Sequence, residues 1–122
     1  MYLVGDDHPH KVDAQRLLDT LILSEERMVC NVEVLQEILH RYVAIGRAEA
    51  IQPSFDVLAG IVDEIYPVVP AEMEAAKNIV LAEYGLSARD AIHIAVMRSH
   101  GIRRILSFDT GFDRYPGLER IR

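Results

Sequence analysis

The feature that most constrains this chain is a regular alternation of short apolar runs with helix-length amphipathic segments. "RMVC" (27–30), "IYPVVP" (65–70), "RRILSF" (103–108) and "LERI" (118–121) are each long enough for a strand and too short for a helix. Helical patterns fill the intervals. Pro9 opens one with Val12, Leu17, Leu18, Leu21 and Ile22 on its apolar face, ending near Ser24. Asn31 caps a second, whose inward stripe is Val34, Leu35, Ile38, Leu39, Tyr42 and Val43 and whose stop is Gly46. A third runs across Phe55, Leu58, Ile61 and Val62 with Pro53 near its start, and a fourth covers 71–85 with a Gly stop. From Ser87 to Ser99 the pattern is apolar on nearly every side, which predicts a helix buried on more than one face. Pro67 predicts an edge position for the strand at 65–70. Strands alternating with helices predict an α/β layer fold with a mainly parallel sheet, in one domain spanning residues 1–122.

At 50% hydrophobic and 26% charged residues, 122 residues suffice for one real core. No apolar run approaches the ~20 residues of a membrane helix, and no basic segment followed by an apolar stretch opens the chain, so the expectation is a cytoplasmic protein without a membrane contact. The single cysteine, Cys30, reads as a buried thiol in a reducing compartment. The net charge of −6 conceals an asymmetry. Residues 1–88 carry 6 basic and 15 acidic side chains, and residues 89–122 carry 7 basic and 4 acidic ones. A basic end beside a few acids suits a polyanion held next to a cation, and a solvated helix face gives the same count.

The acids with chemical meaning stand at element ends. Asp90 lies three residues after Ser87, so "SARD" is a capping-box pattern, and the same position turns a carboxylate toward the rim of the sheet. Asp109 ends "RRILSF" and opens "DTGF", where it either forms a turn or meets a ligand at the carboxyl end of a strand. Asp113 is four residues on, and two like charges that close favour a cation between them. Glu37 sits at the edge of a buried stripe; Glu33, in the outer first turn, is the weaker candidate. Carboxylates from different elements suit hard divalent cations, which position and activate water against a phosphodiester. No HExxH, paired Cys/His set or GxxxxGK[ST] is present, which removes zinc-protease, zinc-finger and P-loop readings. "DTG" also occurs in aspartic proteases, but those are β-rich. His93 reads as a satisfied core or supporting histidine, and His8 and His10 carry little signal.

"NVEVLQEILHRY", "LSARDAIHIAVMRSHGIRRILSFDTGFD" and the closing "PGL" resemble the PIN-domain family, and within it the toxin ribonucleases of the VapC group. The resemblance implies a three-layer αβα sandwich and an Mg²⁺- or Mn²⁺-dependent endoribonuclease. It puts Glu37, Asp90 and Asp109 on the metal and Asp113 on a second ion or a water. It also implies a VapB-like antitoxin, an RNA substrate and a homodimer. Arg89, Arg103 and Arg104 are weaker candidates for phosphate contacts. The departure is at the start: the family opens on a strand ending in D-x-N, and here Met1 falls after that point. Asp6 and Asp7 do not match the motif. The expectation is therefore a sheet with its first strand missing, from a start placed downstream of the family's own. The competing reading is a degenerate, non-catalytic PIN-like module that binds RNA or protein.

Overall fold

A computed structural model describes residues 1–4, 19, 26–107 and 110–121. Five strands form one sheet: β1 (Tyr2–Leu3), β2 (Val29–Asn31), β3 (Glu64–Tyr66), β4 (Arg104–Leu106) and β5 (Glu119–Ile121). Their spatial order is β3-β2-β1-β4-β5, and every pair is parallel. Four helices are described: α1 (Val32–Ala44), α2 (Ile51–Ile61), α3 (Pro70–Leu81) and α4 (Ala88–Ser99). Short 3₁₀ turns cover Ala48–Ala50 and Thr110–Arg114. The helix expected from Pro9 to Ser24 lies outside the described residues, Asp19 excepted.

The strands alternate their side chains between two layers. Tyr2, Val29, Tyr66 and Ile105 face a core built with Ala76 and Ile79 of α3, Ala91 and Ile94 of α4, and Phe112. Cys30 packs the other way, with Leu3 and Ile65, against Val34 and Ile38 of α1 and Leu58 of α2. This is the expected αβα sandwich. Its layers follow from topology: β2 crosses to β3 in one direction and β3 crosses back to β4 in the other, so right-handed connections place the two helix pairs on opposite faces.

Local chemistry sets the element ends. Asn31 is the N-cap of α1, its Oδ1 accepting from the Glu33 N–H at 2.6 Å. After α1 the Arg47 N–H donates to the Tyr42 carbonyl at 2.8 Å, closing a turn in which Gly46 takes φ +68°. Pro70 opens α3, and Glu72 accepts there from the Val69 N–H. The second oxygen of Glu72 accepts from Ser99 Oγ at 2.6 Å, so this 5% exposed carboxylate ties the head of α3 to the tail of α4. α4 buries Ala91, His93, Ile94, Ala95, Val96 and Met97, as an all-round apolar pattern requires.

The sheet has no gap at its centre. Where the short N-terminus predicts a missing strand, Tyr2–Leu3 pairs with β2 on one side and β4 on the other. Tyr2 is fully buried and Val4 nearly so, so this short strand fills the centre of the sheet.

Candidate active site

In a parallel sheet all carboxyl ends share one rim, and ligands gather where neighbouring connections diverge. Here β1 leads toward β2 and β4 leads toward β5, so the divergence falls between β1 and β4. The first turn of α4 carries Arg89 and Asp90. Ser87 caps that end, its Oγ accepting from the Asp90 N–H at 3.1 Å. The backbone half of the expected capping box is thus present.

Glu37 projects from α1, in the opposite layer, and meets α4. Its Oε1 lies 3.2 Å from His93 Nε2 and 3.3 Å from Arg89 Nε, and its side chain is only 10% exposed. Two layers therefore converge through one carboxylate on the helix turn that carries Asp90. Beneath this contact lies a polar cluster in the core. His93 and Asn31 are both fully buried, as is Tyr2. The Tyr2 hydroxyl is 2.7 Å from His93 Nδ1, and Asn31 Nδ2 is 3.1 Å from the same nitrogen. Asn31 Nδ2 also donates to the Tyr2 hydroxyl oxygen. Burial drives the Tyr2 phenol far above its ordinary range, so its proton stays available for donation. No buried side-chain nitrogen or oxygen among the described residues lacks a partner.

The other predicted residues fall as follows. Asp109 lies outside the described residues. Asp113 is in the 3₁₀ turn after β4, forked with Arg120 at 2.9 and 3.1 Å. Arg120 also donates to the Ser107 carbonyl at 3.3 Å, tying this turn to the end of β4. Glu33 contributes its backbone N–H to the α1 cap. Arg103 and Arg104 are the weaker candidates for phosphate contacts. β4 begins at Arg104, which puts both at the amino ends of the strands, with Arg104 paired to Glu26 before β2 and Glu119 at the start of β5.

Tyr2 and Asn31 are the residues sequence reasoning missed as parts of the site. Asn31 was legible as a cap but not as a donor to His93, because its two jobs use different atoms of one amide. Among the described residues, no three His, Cys, Asp or Glu side chains are grouped as a metal site. No described helix is long and apolar enough to cross a membrane.

Comparison with known proteins places the chain in a family. The model of a family described as the PIN domain matches residues 1–118. Ribonuclease VapC13 of Mycobacterium tuberculosis is 58% identical over 121 residues, covering 99% of this chain and 92% of that protein. Among solved structures, VapC20 of Mycobacterium tuberculosis, described as a sarcin-ricin loop cleaving toxin, superposes with a TM-score of 0.72 at 20% identity, over 97% of this chain and 96% of that one. VapBC2 of Rickettsia felis, bound to a DNA fragment from its promoter, gives 0.71 at 15% identity, over 99% and 98%. The two structures share the fold.

Proposed function

The chain belongs to the PIN-domain family, and from that premise we propose that it is a VapC-type toxin ribonuclease that cuts RNA internally with the help of Mg²⁺ or Mn²⁺. The observation that carries the reading is Glu37, brought from the α1 layer onto the turn of α4 that bears Asp90. The donor set fits such an ion. Both groups offer hard carboxylate oxygens, and Mg²⁺ commonly takes one or two of them, with waters and substrate phosphate completing its shell. Glu37 and Asp90 would hold the ion, with Asp109 as the third proposed ligand from the end of β4. When bound, the ion supplies an activated water and neutralises charge on the phosphodiester under attack.

The chain's own residues do the rest. His93 and Arg89 fix the Glu37 carboxylate from two sides. Arg89, about half exposed at the head of α4, is placed to meet a phosphate of the incoming strand. Asp113 is proposed as an assisting acid whose charge Arg120 shares.

The partner we propose is a VapB-like antitoxin, on the strength of the 58% identical VapC relative and the VapBC2 neighbour. Val32, Leu39, Val43 and Ile45 leave apolar surface exposed along and just beyond α1, which is the kind of surface a partner covers. A homodimer in the cytoplasm completes the proposal. The test is cleavage of a structured RNA in Mn²⁺ by the wild type and by Asp90→Asn. Wild-type cleavage that stops in EDTA and is lost in the variant is the expected result. Cleavage equal in both proteins refutes the site. RNA binding that survives EDTA without cleavage favours the non-catalytic module.

A further inference from the structure

The buried cluster under Glu37 has a direction that can be worked out without assuming any proton position. It starts from a backbone N–H, which can only donate. Glu33 N–H donates to the side-chain oxygen of Asn31, so that atom must be Oδ1 and the amide cannot be flipped. Nδ2 is then the end that faces the core, and its two protons point at the Tyr2 oxygen and His93 Nδ1. An amide nitrogen can only donate, so Nδ1 accepts from Asn31, and the Tyr2 hydroxyl 2.7 Å away is left to donate to Nδ1 as well. Nδ1 therefore receives two donors and carries no proton. The ring proton of neutral His93 is on Nε2, 3.2 Å from Glu37 Oε1. The helix cap fixes the Asn31 amide, and the contacts at the two ring nitrogens carry the remaining links.

We propose that His93 is a positioning residue for Glu37, held in a single tautomer by the cap residue Asn31 through Tyr2. The relay runs from the first turn of α1, through the middle of the sheet, to α4, and returns to α1 at Glu37. The helix that carries the carboxylate thus fixes the hydrogen bond that aims it. Arg89, the other group on Oε1, is half exposed and free of this constraint, so it supplies charge while His93 supplies direction. A core histidine that only filled space would have no need of a fixed tautomer. The functional consequence rests on the metallonuclease reading above, but the relay itself does not.

Two measurements on the full chain separate these. First, ¹⁵N NMR of the His93 ring at neutral pH should show the Nε2–H tautomer alone. In Asn31→Ser, which keeps a capping oxygen but loses both amide protons, both tautomers should appear. A wild-type ring protonated on Nδ1, or an unchanged single tautomer in Asn31→Ser, overturns the relay. Second, Mn²⁺ affinity is followed by the electron paramagnetic resonance of the free ion. His93→Leu should weaken it about 10- to 100-fold, the usual cost of losing a partner behind a metal ligand. His93→Gln, whose amide can still donate to Oε1, should recover most of that loss. Thermal unfolding of each variant is recorded alongside. Equal Mn²⁺ affinity in wild type and a folded His93→Leu overturns the positioning role. Failure of the wild type to bind Mn²⁺ at all overturns the metallonuclease reading and the positioning role with it, while the tautomer result still decides the relay.

Discussion

Asn31→Ala removes two things at once, and their costs can be apportioned from the structure. The first is the cap on α1, where the 2.6 Å bond from the Glu33 N–H is lost. Replacing a capping Asn by Ala costs about 0.5–2 kcal/mol, typically ~1. The second is the amide's pair of donations into a fully buried cluster. Leaving a buried polar group short of a partner costs about 1–3 kcal/mol. Here the low end applies, because Tyr2 and His93 still bond to one another. The sum is about 2–3 kcal/mol. Domains of this size have roughly 5–15 kcal/mol in hand, so the variant stays folded. The loss should appear as a melting point lower by about 8–12 °C, taking ~4 °C per kcal/mol at this length. Urea unfolding followed by circular dichroism measures it directly. Asn31→Ser, retaining a capping oxygen, isolates the second term and should lose only about half as much. If Asn31→Ala costs under about 0.5 kcal/mol, or if Ala and Ser cost the same, the division of labour within this amide is wrong.

Other expectations follow from single contacts. Phe112 is fully buried in the larger core, so Phe112→Ala should cost about 3–5 kcal/mol in chemical denaturation; a loss below 1 kcal/mol would mean the turn after β4 does not pack as described. Burial pushes the Cys30 thiol up to about 12 from an ordinary value near 9.0. The folded state thus holds this proton more tightly than the unfolded one, and the stability it contributes is whole below pH 9 and drains away as pH rises toward 12. Alkylation of the native protein by iodoacetamide at neutral pH should be far slower than in urea, and equal rates would refute the burial. Arg104→Ala should shift stability by at most about 1 kcal/mol, as exposed ion pairs do. It should also leave RNA affinity near wild type in a filter-binding titration, whereas Arg89→Ala should weaken it; the reverse order would put the RNA at the other end of the sheet.

The sequence was most readable where a pattern is local. Asn31 and Gly46 bound α1 because a cap and a left-handed glycine act within a few residues. Pro67 marked its strand as an edge, and β3 is one. The all-round apolar run after Ser87 announced the helix with six buried residues. What could not be read depends on distant pairing. A two-residue strand has no periodicity, so nothing in "MYLVG" announced the middle of the sheet. Glu37 and His93 meet from separate layers, and no spacing rule connects them. The acids at 37 and 90 were nameable from type and position, but the atoms that hold Glu37 were visible only in three dimensions.

The place of β1 also decides when this molecule can exist during its own synthesis. Tyr2 is translated long before Arg104–Leu106, one of the two strands it bonds. Long-range parallel pairing of this sort closes loops before any contact rewards them, and is slow. A growing chain therefore carries its central strand with one flank unpaired until β4 emerges. Nascent chains arrested before Arg104 should be degraded readily by added protease, and those released after Ile121 should resist it.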